Sequence, residues 1–266
     1  MIPVSTLISM AVAALLGIAV PVALALWLIR KYNVRWQTVL IGAGTFIVFA
    51  ILLEPILHQI VLKGPHGATI MGNVWYYALY GGLAAGLFEE TGRFLSMKFL
   101  MKKEPSRALP GVAYGAGHGG VEMLILFGIS MISNLVVAAM INAGQADTII
   151  ASAPAEAQEQ LQAQFAQLGT LTAGTLAFGF WERISALVLH LGLSMLVWTA
   201  VRRGGKWLWL FPAAILLHTL VDAVAVILSK TVGMAAVEVI ICALAIAVGA
   251  MGWMLGKELN ATAQIQ

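Results

Sequence analysis

The sequence predicts an all-α polytopic transmembrane helix bundle of about seven spans, and three observations carry that reading. Of 266 residues, 61% are hydrophobic, only 10% are charged, and the apolar residues fall into long runs separated by short polar loops. A soluble domain carries about 25% charged residues, and mean hydropathy here is +0.92. Each run exceeds the ~20 residues needed to cross ~30 Å of hydrocarbon, so one integral membrane domain over residues 1–266 is expected. The net charge of +3 does not point to nucleic acid, because the lysines and arginines cluster in the short loops.

The apolar runs place spans near 4–29, 37–62, 74–101, 110–143, 169–201, 207–229 and 232–256. The first lacks a basic leader and exceeds the ~7–15 residue core of a signal peptide, so a retained first helix is expected. Basic residues follow alternate spans: Arg30, Lys31 and Arg35 after the first, Lys102, Lys103 and Arg107 after the third, Arg202, Arg203 and Lys206 after the fifth. The intervening loops hold only Lys63, the acidic Asp147, Glu156 and Glu159, and Lys230. Positive residues favour the cytoplasmic side, which puts the N-terminus outside and the C-terminus inside. The segment at about 145–168 is an outer amphipathic loop, with Leu161, Phe165 and Leu168 forming one stripe of a short helix after Pro154. Gly115, Gly117, Gly119 and Gly120 follow no predicted strand and read as close helix packing rather than a phosphate loop. The single cysteine, Cys242, allows no intrachain disulfide.

Ten ionisable or imidazole side chains interrupt the later spans: Glu89, Glu90, Arg93, His118, Glu122, Glu182, Arg183, His190, His218 and Asp222. A charge at the bilayer centre costs roughly 2.5–3.5 kcal/mol on insertion scales, so a shared polar site is expected. Residues four apart share a helix face, which pairs Glu89 with Arg93, His118 with Glu122, and His218 with Asp222. Counted from the predicted cytoplasmic ends, Glu89, His190 and His218 lie 11 residues in and His118 lies 8 in. At 1.5 Å per residue, that is about 12–17 Å for all four. Glu54 and His58, beside Pro55, fall nearer the outer face by the same count and are left out of the site. A lone intramembrane histidine can be a packing residue, and Glu182 with Arg183 reads as a support pair between helices.

Five of the ten are carboxylates and two are arginines, leaving three negative charges to be neutralised by protons or a cation. Protons would supply a general acid or base. A cation would make a metal centre, for which His and a carboxylate four residues apart on inward faces is a known arrangement.

Glu89-Glu90-Thr91-Gly92-Arg93, Tyr114-Gly115-Ala116-Gly117-His118 and His218-Thr219-Leu220-Val221-Asp222 resemble the three motifs of the CAAX-protease and bacteriocin-processing membrane peptidases. With Gly119-Gly120-Val121-Glu122, Glu182-Arg183 and His190, the pattern resembles more closely the bacterial YhfC-type intramembrane metalloproteases, across essentially the whole chain. That resemblance implies an intramembrane endopeptidase of the bacterial cell membrane, acting on a membrane-embedded or membrane-associated peptide, a prenylated one included, near the cytoplasmic side. Its implied catalytic residues are Glu89 or Glu90 as the base, Arg93 holding the pair, and His118 and His218. In a metal version, His118, Glu122, His190, His218 and Asp222 are the candidate ligands of one divalent ion such as zinc. Arg93 follows the glutamate pair by three positions where the CAAX motif has four, and Asp222 stands where that group usually has Asn; both tilt the site toward a cation. The rival readings are a proton- or cation-coupled transporter and an inactive peptidase-like scaffold.

Overall fold

A computed structural model describes residues 1–262; the remaining residues, 263–266, of the expected single domain lie outside that description. Among the described residues the regular structure is entirely helical. Helix α1 spans Val4–Tyr32, α2 Trp36–Phe46, α3 Glu54–Leu62, α4 Gly67–Met71, α5 Val74–Phe99, α6 Ala108–Met123 and α7 Ser130–Asn142. Beyond these lie α8 Ala146–Ser152, α9 Ala155–Thr170, α10 Ala173–Arg203, α11 Leu210–Ser229 and α12 Met234–Thr262.

Two wide π-helical stretches keep long helices continuous, Ile47–Leu53 between α2 and α3 and Leu124–Ile129 between α6 and α7. The first stands just before Pro55, whose missing N–H and ring disfavour a regular α-turn. Local chemistry sets the ends. Asn73 caps α5 by accepting from the amides of Trp75 and Tyr76. Thr172 and Thr175 cap α10 reciprocally, each amide donating to the other's hydroxyl. Gly204 and Gly205 both adopt positive φ, 62° and 52°, in the tight turn from α10 to α11.

Among the described residues six helical segments are long and apolar enough to cross a membrane: Val4–Tyr32, Trp36–Leu62, Ala108–Asn142, Ala173–Arg203, Gly205–Ser229 and Met234–Asn260. Helix α5 has comparable length, 26 residues, and differs by carrying Glu89, Glu90 and Arg93. Large apolar side chains face outward along these helices, among them Leu15, Leu40, Leu79, Leu216 and Ile246. In water such a surface would aggregate; in hydrocarbon it is the expected exterior. The protein is therefore an integral membrane protein. The segment after α7 holds two helices, split at Pro154, and Leu168 of the predicted stripe is buried in the second.

The chain forms two compact units. One comprises Met1–Val20 and Met123–Arg183, with Ile2, Met10, Ala138, Leu168 and Leu176 at its core. Asn142 ties down the N-terminus there, accepting from the Ile2 amide at 2.6 Å and donating to the Ile2 carbonyl at 3.0 Å.

The other comprises Pro21–Glu122 and Ile184 onward. Its axis is the later part of α10, where Leu193, Leu196, Val197 and Trp198 are fully buried. Glycines bring its helices together, since without side chains two backbones can meet. A Cβ on Gly192 of α10 would sit 2.7 Å from the Gly249 Cα of α12, and one on Gly82 of α5 would sit 2.6 Å from the Thr219 carbonyl oxygen of α11. The Lys-rich connection before α6 is pinned as well. The Trp198 indole donates to the Arg107 carbonyl, Arg202 donates to Ser106, and buried Glu104 accepts from Thr38 and pairs with Arg35.

The α5–α11 seam decides whether the site can form, and it is testable. Gly82→Ala should destabilise the protein by about 1–3 kcal/mol through overpacking. Gly81→Ala, next to it in the same helix, points a Cβ into open space and should hold stability or raise it by up to about 1 kcal/mol through helix propensity. Thermal unfolding of both variants in the same detergent measures the difference.

Candidate metal centre

Four helices of the larger unit bring the polar side chains together. Gly86 of α5 lies against Thr219 of α11, and Gly119 of α6 lies against the His190 Cβ of α10. These close approaches let short side chains meet across helix axes. The fully buried Glu90 and Arg93, with Glu89, come from α5, His118 and Glu122 from α6, His190 from α10, and His218 and Asp222 from α11.

Arg93 is the one fully buried cation among the described residues. Its guanidinium reaches Glu90 Oε1 at 3.4 Å, and donates to His190 Nδ1 at 3.0 Å and to the His190 carbonyl at 3.5 Å. A guanidinium only donates, so His190 Nδ1 must accept and the ring hydrogen sits on Nε2. That nitrogen meets Glu122 Oε2 at 2.5 Å. The His190 tautomer is thus set by two charged partners, with the Nδ1 lone pair turned toward α5.

Glu89 and Glu90 face different partners. Glu89 Oε2 accepts from His118 Nε2 at 2.8 Å and lies 3.9 Å from His190 Nδ1. Glu90 Oε1 accepts from His218 Nδ1 at 2.9 Å, and the other nitrogen of His218 lies 3.5 Å from Asp222 Oδ2. The His118 and His190 rings are 4.9 Å apart and the His190 and His218 rings 5.3 Å. Phe46 and Tyr114 pack on the His118 ring at 5.3 and 6.0 Å, shielding it from lipid and water.

Ligand atoms of Glu89, His118 and His190 all lie within 4.8 Å of one another, and all three residues are buried. This group could hold a metal ion. The donors suit it: two imidazoles and a carboxylate are the protein ligands of hydrolytic zinc sites. A carboxylate such as Glu122 on the far nitrogen of a ligating histidine is the usual support for that ring. His218 and Asp222, expected among the ligands, lie outside this group of three: His218 stands between Glu90 on Nδ1 and Asp222 on Nε2.

The structure also adds residues that the depth count excluded. Glu54 is buried, pairs with His58 at 3.2 Å, and lies within electrostatic reach of Glu89, His218 and Asp222. His58 Nδ1 hydrogen-bonds Tyr80 at 2.8 Å. A cavity of about 320 Å³ lies between this group and Asp222, lined by His58, Tyr77, Tyr80 and Gly81 among others. The sequence did carry a signal, since Glu54 and His58 are four apart on a helix, as His118 and Glu122 are. The depth count, which sets them nearer the outer face, agrees with the end at which this cavity lies; what it missed is that the cavity joins His58 to Asp222. Glu182 and Arg183 pair with each other, and Glu182 is half exposed.

The chain matches the family described as YhfC intramembrane metalloprotease over residues 16–245. It is 36% identical over 248 residues to a protein of Bacillus subtilis (strain 168) named uncharacterized membrane protein YhfC, covering 92% of this chain and 94% of that one. No solved structure matches the chain.

Removing Arg93 would leave Glu90 as an uncompensated buried charge, which typically costs about 3–5 kcal/mol. Arg93→Met should therefore lower the unfolding temperature in detergent far more than Arg203→Met. Arg203 pairs with Glu258, whose side chain is half exposed, and pairs of that kind contribute up to about 1 kcal/mol.

Proposed function

The chain belongs to the YhfC intramembrane metalloprotease family, and from that premise we propose that it hydrolyses a peptide bond of a membrane-embedded or membrane-associated peptide. The single observation that carries the reading is the buried meeting of Glu89, His118 and His190. A structural network would need only paired charges, whereas this one gathers metal-type donors and carries more carboxylates than cations. Arg93 pairs with Glu90, while Glu54, Glu89, Glu122 and Asp222 pair with histidines.

In this reading Glu89, His118 and His190 would hold one divalent ion such as zinc. The ion would supply Lewis acidity, making water nucleophilic at neutral pH and polarising a carbonyl. Glu122 accepts the His190 Nε2 hydrogen and leaves Nδ1 as the ligating atom; the lone pair to which Arg93 donates in this structure would pass to the ion, while the guanidinium keeps Glu90 and the His190 carbonyl. Glu90 accepts from His218 Nδ1 and, held by Arg93, orients that ring as the acid of a hydrolase triad orients its histidine. His218 Nε2 is then the atom that takes a proton from the attacking water and returns it to the departing amine. Glu90, expected as base or partner, is in our account the partner. Phe46 and Tyr114 keep bulk water from His118, which strengthens every charge interaction inside.

The purified protein should bind about one divalent ion per chain, with His118→Ala and His190→Ala losing it. Glu122→Gln should weaken affinity roughly 10–100-fold, as changes to such supporting carboxylates do. Elemental analysis and competition with a chelating dye measure both. For activity, wild-type protein in lipid should cleave membrane-anchored peptides, lose this on chelation and regain it with zinc. His218→Ala should lower kcat by about 10²–10⁴ while retaining the ion; turnover unchanged in His118→Ala, His190→Ala and His218→Ala alike would refute the reading.

A further inference from the structure

The cavity next to Asp222 contributes no ligand to the proposed ion, and its walls have their own chemistry. It sits near Leu62, the last residue of α3, Tyr77, three residues into α5, and Val226, three residues before the end of α11. The connections at that end, 63–73 and 230–233, carry only Lys63 and Lys230 as cations, while Lys102, Lys103, Arg107, Arg202, Arg203 and Lys206 belong to the opposite ends of the same helices. By the distribution of positive residues the cavity belongs to the outer half of the membrane.

About 320 Å³ is room for one side chain and not for a length of folded backbone. Leu62, Ala225, Val226 and the two tyrosines give a mostly apolar wall. At the boundary with the reacting histidine stands Asp222, about a third exposed and 3.5 Å from His218 Nε2. At 3.5 Å the two make no close hydrogen bond, and a carboxylate has about four lone-pair sites, so Asp222 keeps acceptors for another partner. His58 is held from both sides, by Glu54 on Nε2 and Tyr80 on Nδ1, which fixes the tyrosine wall. Gly81 lines the cavity too, and a Cβ built there meets nothing within 4 Å.

We propose that this cavity is a side-chain subsite that takes a lysine or arginine of the peptide beside the bond to be cut. The inference rests on the protease reading above. A long aliphatic stem ending in a cation matches an apolar wall ending in a carboxylate, and the tyrosine faces attract a cation as well. The excess of carboxylates adds a negative potential that favours such a residue and repels glutamate. Within a membrane a cation needs a partner, and Asp222 provides one at the depth of the site.

The test uses the full chain in lipid nanodiscs and single-span peptides of about 25 residues, with Lys, Arg, Leu or Glu at one position walked through the outer half. Fluorescence anisotropy in chelator reads binding, and mass spectrometry with zinc reads cleavage. At one position Lys and Arg should bind at least about tenfold more tightly than Leu, with Glu weakest, and cleavage should fall next to that position. Gly81→Leu, which fills the cavity, should abolish the preference by raising KM for the Lys peptide with little change in kcat and in unfolding temperature. Asp222→Asn should abolish the preference too. Equal binding of all four peptides at every position, or a preference that survives in Gly81→Leu, overturns the subsite. Charge-selective, Gly81-dependent binding without cleavage under any metal overturns the protease reading and leaves the subsite standing as a peptide pocket.

Discussion

The site is organised by one buried cation. Arg93 lies among carboxylates in a bundle where water cannot screen them, and its guanidinium touches both Glu90 and His190. Because a guanidinium cannot accept a hydrogen bond or lose its proton, it acts as a fixed reference. It forces the His190 lone pair to one side and holds Glu90 where His218 can donate to it. The roles proposed for two of the three histidines derive from which partner each was left with.

That constraint explains why the glycine seams matter beyond packing. A histidine reaches only a few ångströms from its backbone, so the rings can stand 4.9 and 5.3 Å apart only if their helices nearly touch. Gly86 against α11 and Gly119 against His190 provide those approaches. In hydrocarbon, where burying apolar surface gives helices no reason to associate, such close contacts and the polar network itself hold the bundle together. The same residues that make the bundle thus place the chemistry.

Much of this could be read from the chain before its structure. The helical runs were legible because apolar length is a direct physical requirement of the bilayer, and the observed bounds of α1, α5 and α11 begin or end within a few residues of those expected. The meeting of α5, α6, α10 and α11 was legible because α5 is a regular helix between Glu89 and its Lys-rich end, and α10 and α11 likewise carry His190 and His218 on regular helix. Glu54 and His58 were left out because depth alone separates them from the histidines, and depth does not show that a cavity joins His58 to Asp222. Which glutamate faces which histidine was not legible at all. Glu89 and Glu90 are neighbours on one helix, about 100° apart, and only the positions of α6 and α11 decide that one meets His118 and the other His218.

The central claim is that a cation offsets the carboxylate excess through Glu89, His118 and His190. X-ray absorption at the zinc edge of the zinc-loaded protein tests it most directly. The account predicts two imidazole nitrogens at about 2.0–2.1 Å and one or two oxygens at about 2.0–2.2 Å, with one imidazole lost in His118→Ala. A shell of oxygen alone, or one unchanged in both His118→Ala and His190→Ala, would contradict it.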